Sequence, residues 1–403
     1  MTKQASSKAA RPHRILYVHS SDELYGADLI LLQLIDRLDH QRFQPIVIVP
    51  TDIPYQGLLS KALQERQIKT IKLDTAILRR KYLTPPGILA YLWRLVTSTI
   101  AISRLIHRES IDIVHSNTIA VIPGALAARL TGRPHVWHVH EIIVYPRFLW
   151  RLSAWLLPRL SDQVVAVSES TRAHLCAGDR HNEQKAIVIH NGIDLDRFDR
   201  SQGLGHSIRR EWGIEPGQPL IGMIGRISGW KGQDYFLKVA SLVSQSHPEA
   251  RYALVGGTVP GQEGMMTELK SLASRLHISS AVIISDFRDD IPAVLDAYDI
   301  LVLPSTLPDP FPTVVLEAMA ARKPVIANAH GGSTELVEHE TTGLLVTPGR
   351  PQEMAQAIIH LLEAPEERQL MGQQGRTHLE ANFSLESFVA KWIDLYDRLI
   401  ATA

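Results

Sequence analysis

Apolar residues along this chain fall in short runs, and each run gives way to a loop and then to a stretch with helical spacing. Residues 14–19 (RILYVH) lead through a polar loop into residues 27–38 (ADLILLQLIDRL), where apolar positions recur at helical intervals. Further β-type runs lie at 46–49, 111–115, 136–140, 164–167 and 187–189. The polar segment 194–218, rich in glycine and charge, breaks the rhythm and reads as an interdomain connection. The rhythm then restarts, with strands expected at 220–224, 252–255, 282–284, 300–303 and 325–327. Short buried strands alternating with helices predict parallel sheets covered on both faces. Two such α/β domains in tandem create a cleft, and open sheets bind ligands at the carboxyl ends of their strands. The last stretch, 385–400, places Phe388, Trp392, Leu395, Tyr396 and Leu399 on one helical face, which must pack on something; closing the second domain is the plainest use.

A length of 403 residues fits two or three domains. Lys plus Arg equals Asp plus Glu at 42 each, so no global basic excess points to nucleic acid. With one cysteine, Cys176, no intrachain disulfide can form, which fits a reducing, cytoplasmic setting. Cys176 reads as a small buried apolar residue rather than a nucleophile. Residues 1–14 are polar and basic with no apolar core after them, and read as a disordered tail. The apolar stretch 87–106 is interrupted by Arg94, Ser98, Ser103 and Arg104, which argues against a membrane span.

Candidate chemistry begins at residues 307–320 (LPDPFPTVVLEAMA). A strand runs into a proline-stiffened loop, and a helix starts near Thr313, placed as its N-cap. A helix start offers free N–H groups and a positive dipole end to a phosphate. Asp309 in the loop and Glu317 in the helix can converge on a polyhydroxylated ligand; alternatively they are a turn residue and a solvated helix residue. Residues 222–232 (GMIGRISGWKG) place Arg226 and Lys231 across a glycine-bearing loop, where two cations can neutralise a diphosphate, or simply face solvent. The spacing is not that of a Walker A loop. Gly26 opens the helix after the first loop, where it can admit a phosphate. His138 and His140 are two apart on a strand and point the same way, but no third metal ligand has convincing spacing. Asp194-Leu195-Asp196 is reminiscent of a D-x-D metal site, yet follows Asn191-Gly192-Ile193 and reads as turn chemistry.

Together these pieces resemble the retaining glycosyltransferases of family 4, over about residues 15–399 and most strongly over 187–346. The matching segments are Asn191–Asp194, Gly225-Arg226 with Lys231-Gly232, Leu254–Gly256, 309–320, 331–337 and 343–346. The resemblance implies a GT-B fold: two Rossmann-like α/β domains facing each other across a cleft, with the C-terminal helix crossing back to the first. It sets a tail at 1–13, an acceptor-side domain at 14–195, a nucleotide-sugar domain at 196–384 and the returning helix at 385–403. Glu317 then matches the ribose-binding second glutamate of an E-x7-E motif, and Asp309 the first position, near the donor sugar. Arg226 and Lys231 match the diphosphate pair, Gly26 the glycine near the phosphates, His140 the histidine at the reaction centre, and Phe287 a base contact. Gly225, Phe311, Thr313 and Val314 complete the implied donor site. The implied reaction is metal-independent hexosyl transfer with retention, from a nucleoside diphosphate sugar to a glycan, lipid-linked or small-molecule acceptor, with no cofactor and no nucleic acid. A nucleotide-sugar epimerase or an inactive nucleotide-binding partner subunit would share this architecture. This sequence departs from the family at Asp309, one methylene short of Glu, at Pro310 and Pro312, which replace glycines, and at Asp28, where glutamate is usual. Pro312 has no N–H to offer a sugar hydroxyl, whereas Thr313 and Val314 do.

Residues 78–108 mix Arg79, Arg80, Lys81, Arg94, Arg104 and Arg108 with Tyr82, Tyr91 and Trp93, and residues 147–159 mix arginines with Phe148, Trp150 and Trp155. Such surfaces can lie on an anionic membrane, making a lipid-linked acceptor and a peripheral cytoplasmic-face location an expectation; a plain core helix is the other reading.

Overall fold

The computed structural model describes residues 11–79, 82–177, 179–258 and 262–402. The expected tail, up to residue 10, and Arg80 and Lys81 of the basic stretch lie outside the described residues. Arg11 is already ordered against the first unit, pairing with Asp112 at 2.8 Å. The chain divides into two compact units. The first runs to Val167 and takes in Thr171–Ile189 and everything from Phe388 onward; the second comprises Ser168–Ser170 and His190–Ser387.

In the first unit the strands are β1 His13–Val18, β2 Phe43–Pro50, β3 Lys69–Leu73, β4 Ile113–Asn117, β5 His135–Val139, β6 Gln163–Ala166 and β7 Ala186–Val188. They form a parallel sheet in the order β3-β2-β1-β4-β5-β6-β7. Ile15 sits between Pro45 of β2 and Ile113 of β4, so β1 is an interior strand. Leu16, Val18, Ile46, Ile48 and Val114 pack with Ile102 and Ile106 of helix Pro85–Arg108 on one side. Trp137, Val139 and Leu157 form a second cluster that includes Cys176, which is buried as its composition suggested.

In the second unit the strands are β8 Leu220–Ile224, β9 Arg251–Val255, β10 Val282–Ser285, β11 Ile300–Leu303, β12 Val325–Asn328 and β13 Gly343–Val346. Their order is β10-β9-β8-β11-β12-β13, again parallel. Met223, Phe236, Tyr252, Leu254 and Ile358 are among the residues that fill its core. Gly222 lies within β8 because the ring of Tyr298 covers that spot; a Cβ would run into it. Segment 194–218 is not a free connection. It folds within the second unit as helices Asp196–Asp199 and Gly205–Glu211, held by Arg376–Asp199 at 2.8 Å and Arg209–Asp299 at 2.6 Å. Its charges had ion-pair partners far along the chain, which local composition does not reveal.

Helix Leu385–Ala401 does not close the second unit: from Phe388 it belongs to the first. The predicted face is the packed one. Phe388, Trp392, Leu395, Tyr396 and Leu399 are all buried, and Trp392 is fully so. The Trp392 ring stacks on His115 at 4.7 Å, and the Tyr396 hydroxyl bonds to His115 Nδ1 (2.8 Å) and the Tyr17 hydroxyl (3.0 Å).

Helix Pro85–Arg108 is long and apolar enough to cross a membrane by length and composition, despite its interrupting polar residues. Those residues hide their polarity: Ser98, Thr99 and Ser103 donate to carbonyls one turn back, at 2.5, 2.6 and 2.9 Å. Tyr91, Ser98, Thr99, Ile102, Leu105 and Ile106 face the unit's interior.

Replacing Trp392 by Ala should destabilise the first unit by about 3–5 kcal/mol, since a full indole leaves the core. Chemical denaturation followed by a probe in the first unit measures it, and a loss below about 1 kcal/mol would show that the C-terminal helix is dispensable for that core.

Candidate functional site

In both sheets the strand order reverses at one point, between β1 and β4 and between β8 and β11. Loops leaving adjacent strands there run to opposite faces and leave a crevice at the carboxyl edge. The sequence-predicted residues collect at these two edges, one set in each unit.

In the second unit, the loop after β8 is built for close backbone approach. A Cβ on Gly256 would collide with the carbonyl oxygen of Gly225, so the ends of β8 and β9 touch through bare backbone. Arg226 is exposed on this loop, and the buried Gln233 side chain fixes the turn by donating to the Arg226 carbonyl at 3.0 Å. Lys231 Nζ lies 2.5 Å from Asp309 Oδ2 and 4.4 Å from the centroid of the Trp230 ring. Thr306 donates its N–H to the Trp230 carbonyl at 2.7 Å, tying the loops after β8 and β11 together. The residue that sequence set beside the diphosphate and the one set beside the sugar therefore form one ion pair, with the carboxylate side almost sealed from water.

The loop carrying Asp309 is clamped from below. Asn328 Nδ2 and His330 Nε2 both contact the Ser305 carbonyl at 2.9 Å. The Gly332 N–H donates to the Asp309 carbonyl at 2.8 Å, and Gly331, at φ 61°, leaves no room for a Cβ against the Asp309 backbone. Phe311 is buried, stacked on His190 at 5.2 Å and edge-on to Phe383 at 5.8 Å. Its ring thus anchors the loop, and only its backbone is left for a ligand. Helix Thr313–Ala320 follows, with Pro312 rather than Thr313 as its N-cap and no side-chain cap bond. The proline ring fixes the entry torsion that a capping hydroxyl would otherwise hold, so Thr313 is the first helical residue. The N–H groups of Thr313 and Val314 belong to the turn that lacks helical acceptors. Glu317 sits one turn on. Burial raises its carboxyl pKa, partly opposed by the charge of Arg197. Phe287 follows β10 and is 60% exposed, with its N–H on Asp286 Oδ1 at 2.7 Å.

In the first unit, Gly26 is the first residue of helix Gly26–Arg37 and is exposed. Asp28 turns back to accept the Tyr25 N–H at 2.7 Å, and its other oxygen meets His19 Nε2. His19 Nδ1 lies 3.0 Å from Asn117 Nδ2, and Asn117 Oδ1 lies 3.1 Å from His140 Nε2. His140 directly follows β5. His138 does sit beside it, ring centroids 3.9 Å apart, but is buried against Trp392 at 4.7 Å. Among the described residues, no three His, Cys, Asp or Glu side chains are grouped as metal ligands. Asp194 accepts the Asp196 N–H at 3.1 Å, the turn expected there. His19, Asn117, Trp230, Gln233 and Arg197 were not singled out from sequence. His19 and Asn117 sit at strand ends, which is the one signal that marks them; Trp230, Gln233 and Arg197 lie farther along the connections and carry no such signal.

Two family patterns match. "Glycosyltransferase Family 4" covers residues 25–197, and "Glycosyl transferases group 1" covers residues 206–378. The chain belongs to the family 4 glycosyltransferases. As a glycosyltransferase it is 24% identical to the Escherichia coli UDP-Gal:alpha-D-GlcNAc-diphosphoundecaprenol alpha-1,3-galactosyltransferase, over 95% of this chain and 96% of that one. Its fold is GT-B. The Anabaena protein HepE, solved with UDP and glucose, superimposes with a TM-score of 0.81 at 26% identity, over 96% of this chain and 100% of that one. Other likenesses are partial: the chain spans 60% of an uncharacterised glycosyltransferase of Methanocaldococcus jannaschii at 27% identity. It spans 50% of the D-inositol 3-phosphate glycosyltransferase of Segniliparus rotundus at 31%.

Four buried histidines of the first unit of this glycosyltransferase are held neutral. Burial lowers the pKa of His135 and His140 to about 3, and those of His115 and His138 well below the ordinary value. Unfolded histidine titrates near 6.5, so this stabilisation is complete above about pH 6.5 and is lost as pH falls below it. Glu141, pushed up to about 7 by burial, acts in the opposite sense over the same window and offsets about one of the four. Stability of the first unit should therefore drop from pH 7 to pH 5, with a net uptake of protons on unfolding and about 1.4 kcal/mol per pH unit for each uncompensated histidine. Denaturant melts at pH 7, 6 and 5 check this; equal midpoints would contradict it.

Proposed function

We propose that this enzyme transfers a hexosyl group from a nucleoside diphosphate sugar with retention of anomeric configuration and without a metal. The observation that carries the reading is the fixed Lys231–Asp309 pair, lying with Arg226 at the carboxyl edge where the second sheet reverses. In this reading Arg226 and Lys231 meet the charge that grows on the departing diphosphate, the task given to a metal ion in other transferases. Asp309 aims Lys231 and accepts from a sugar hydroxyl. Glu317 holds the ribose, and the N–H groups of Thr313 and Val314 face the phosphate or sugar. Gly225 lets the diphosphate reach the backbone, and Phe287 offers an exposed ring to the base. Gly26 and His140 are the first unit's contribution, and no protein nucleophile is assigned. The likeness to HepE with UDP and glucose makes UDP-glucose the first donor to test.

Lys231→Ala should lower kcat/KM by about a hundredfold, the scale of losing one charge-stabilising group. Glu317→Ala should lower it by about tenfold or more, chiefly through the donor KM. Assays run with and without EDTA, with the product anomer read by NMR, test the rest. Wild-type turnover in both variants, inversion, or loss of activity in EDTA would each overturn the corresponding part.

We further propose that the acceptor is lipid-linked and that the first unit rests on an anionic membrane surface. Helix Pro85–Arg108 presents Ile88, Leu89, Leu92, Trp93, Val96 and Ile100 to the outside, with Trp93 71% exposed. Helix Arg147–Leu160 adds exposed Phe148, Leu152 and Trp155. Residues 75–108 and 142–161 contain no Asp or Glu, whereas Arg104, Arg108, Arg147, Arg151 and Arg159 are exposed among them. An apolar face bordered mainly by cations, with Asp74 and Glu109 paired to Arg94 and Arg108, complements an anionic bilayer. The near full-length likeness to a transferase acting on a diphosphoundecaprenol acceptor supports the same choice. The protein should co-sediment with vesicles containing phosphatidylglycerol at low salt and less with pure phosphatidylcholine. The double variant Leu89→Glu, Trp93→Glu should stay in the supernatant while remaining folded. Equal sedimentation of that variant would remove the assigned face.

A further inference from the structure

The polar residues at the carboxyl edge of the first sheet form a single directed chain. It starts at Asp28 on helix Gly26–Arg37, passes through His19 after β1 and Asn117 at the end of β4, and ends at His140 after β5. It thus spans the point where the strand order reverses. Asp28, His19 and Asn117 are all buried, so each must satisfy its polar atoms with protein partners rather than water.

The direction of the hydrogen bonds follows from two groups that can only accept, the Asp28 carboxylate and the Ala27 carbonyl. The carboxylate of Asp28 accepts, so His19 carries its proton on Nε2. Its Nδ1 is then bare and needs a donor, which is the Asn117 amide nitrogen at 3.0 Å. A second observation fixes the amide independently: the same nitrogen lies 3.5 Å from the carbonyl oxygen of Ala27, which also only accepts. Turning the amide over would set oxygen against oxygen there. With the nitrogen committed, Asn117 Oδ1 faces His140 Nε2 at 3.1 Å and requires a proton on it.

We propose that Asp28, His19 and Asn117 form a hydrogen-bonded relay that holds His140 as a neutral ring with its proton on Nε2 and its Nδ1 lone pair bare. Asn117 and His19 are then positioning residues. They present His140 to substrate as an acceptor of a hydroxyl proton rather than as a donor. The inference rests on the reading of His140 as a residue of the transfer reaction, but the relay itself can be measured without substrate.

The test is a long-range proton–nitrogen NMR correlation on protein labelled with 15N-histidine, with His140 signals assigned by their loss in His140→Gln. The wild type should show a bare Nδ1 and a protonated Nε2 for both His140 and His19. In Asn117→Ala the His140 nitrogens should shift toward the average of two exchanging tautomers, and kcat should fall about tenfold, with the donor KM within about twofold. In Asn117→Asp an acceptor replaces the donor facing His19, so His19 should appear protonated on both nitrogens. A wild-type His140 protonated on Nδ1 overturns the relay with no variant needed, as do His140 signals that are unchanged in Asn117→Ala. If the ring signals respond but His140→Ala turns over like the wild type, the relay stands and the role of His140 in transfer falls.

Discussion

A parallel sheet must bury both faces, and each right-handed crossover sends its helix to one of them. The chain therefore has to change faces once per sheet, and it does so between β1 and β4 and again between β8 and β11. At that point two neighbouring loops part, leaving strand ends uncovered by either helix layer. Every residue assigned a chemical task here lies on, or is tied to, a loop or helix start at a carboxyl edge. The packing rule that builds each sheet also decides where its chemistry can stand.

The two edges solve opposite electrostatic problems. In the second unit, cations wait near a helix start, and a nearly buried carboxylate restrains one of them. That arrangement suits a ligand that brings negative charge and leaves with more of it. In the first unit, burial strips charge from the His140 imidazole, and a chain of directed hydrogen bonds anchored on the Asp28 carboxylate runs across the edge instead. Such a surface suits hydroxyl groups, which need direction more than charge.

Much of this was legible in the sequence because it was written in periodicity. The runs at 220–224 and 300–303 coincide with β8 and β11, and the apolar face of the last helix was read correctly. What that helix packs on was not in the residues themselves, since a stripe does not name its partner; resemblance supplied it. Segment 194–218 was misread because composition reports polarity without reporting whether the charges are paired. Phe311 was placed in the donor site by position, and that position could not show that its ring packs on His190 and Phe383. His19 and Asn117 carried no motif at all. Their meaning comes from strands far apart in sequence that lie side by side in the sheet.

The placement of Trp392 and Tyr396 has a consequence for how the chain is made. The first sheet's strands leave the ribosome early, but the indole and phenol that complete its core come after all of residues 190–387. The unit begun first is finished last. Until then it carries an open apolar seat beside His115, and its completion reports that the whole second unit has been synthesised.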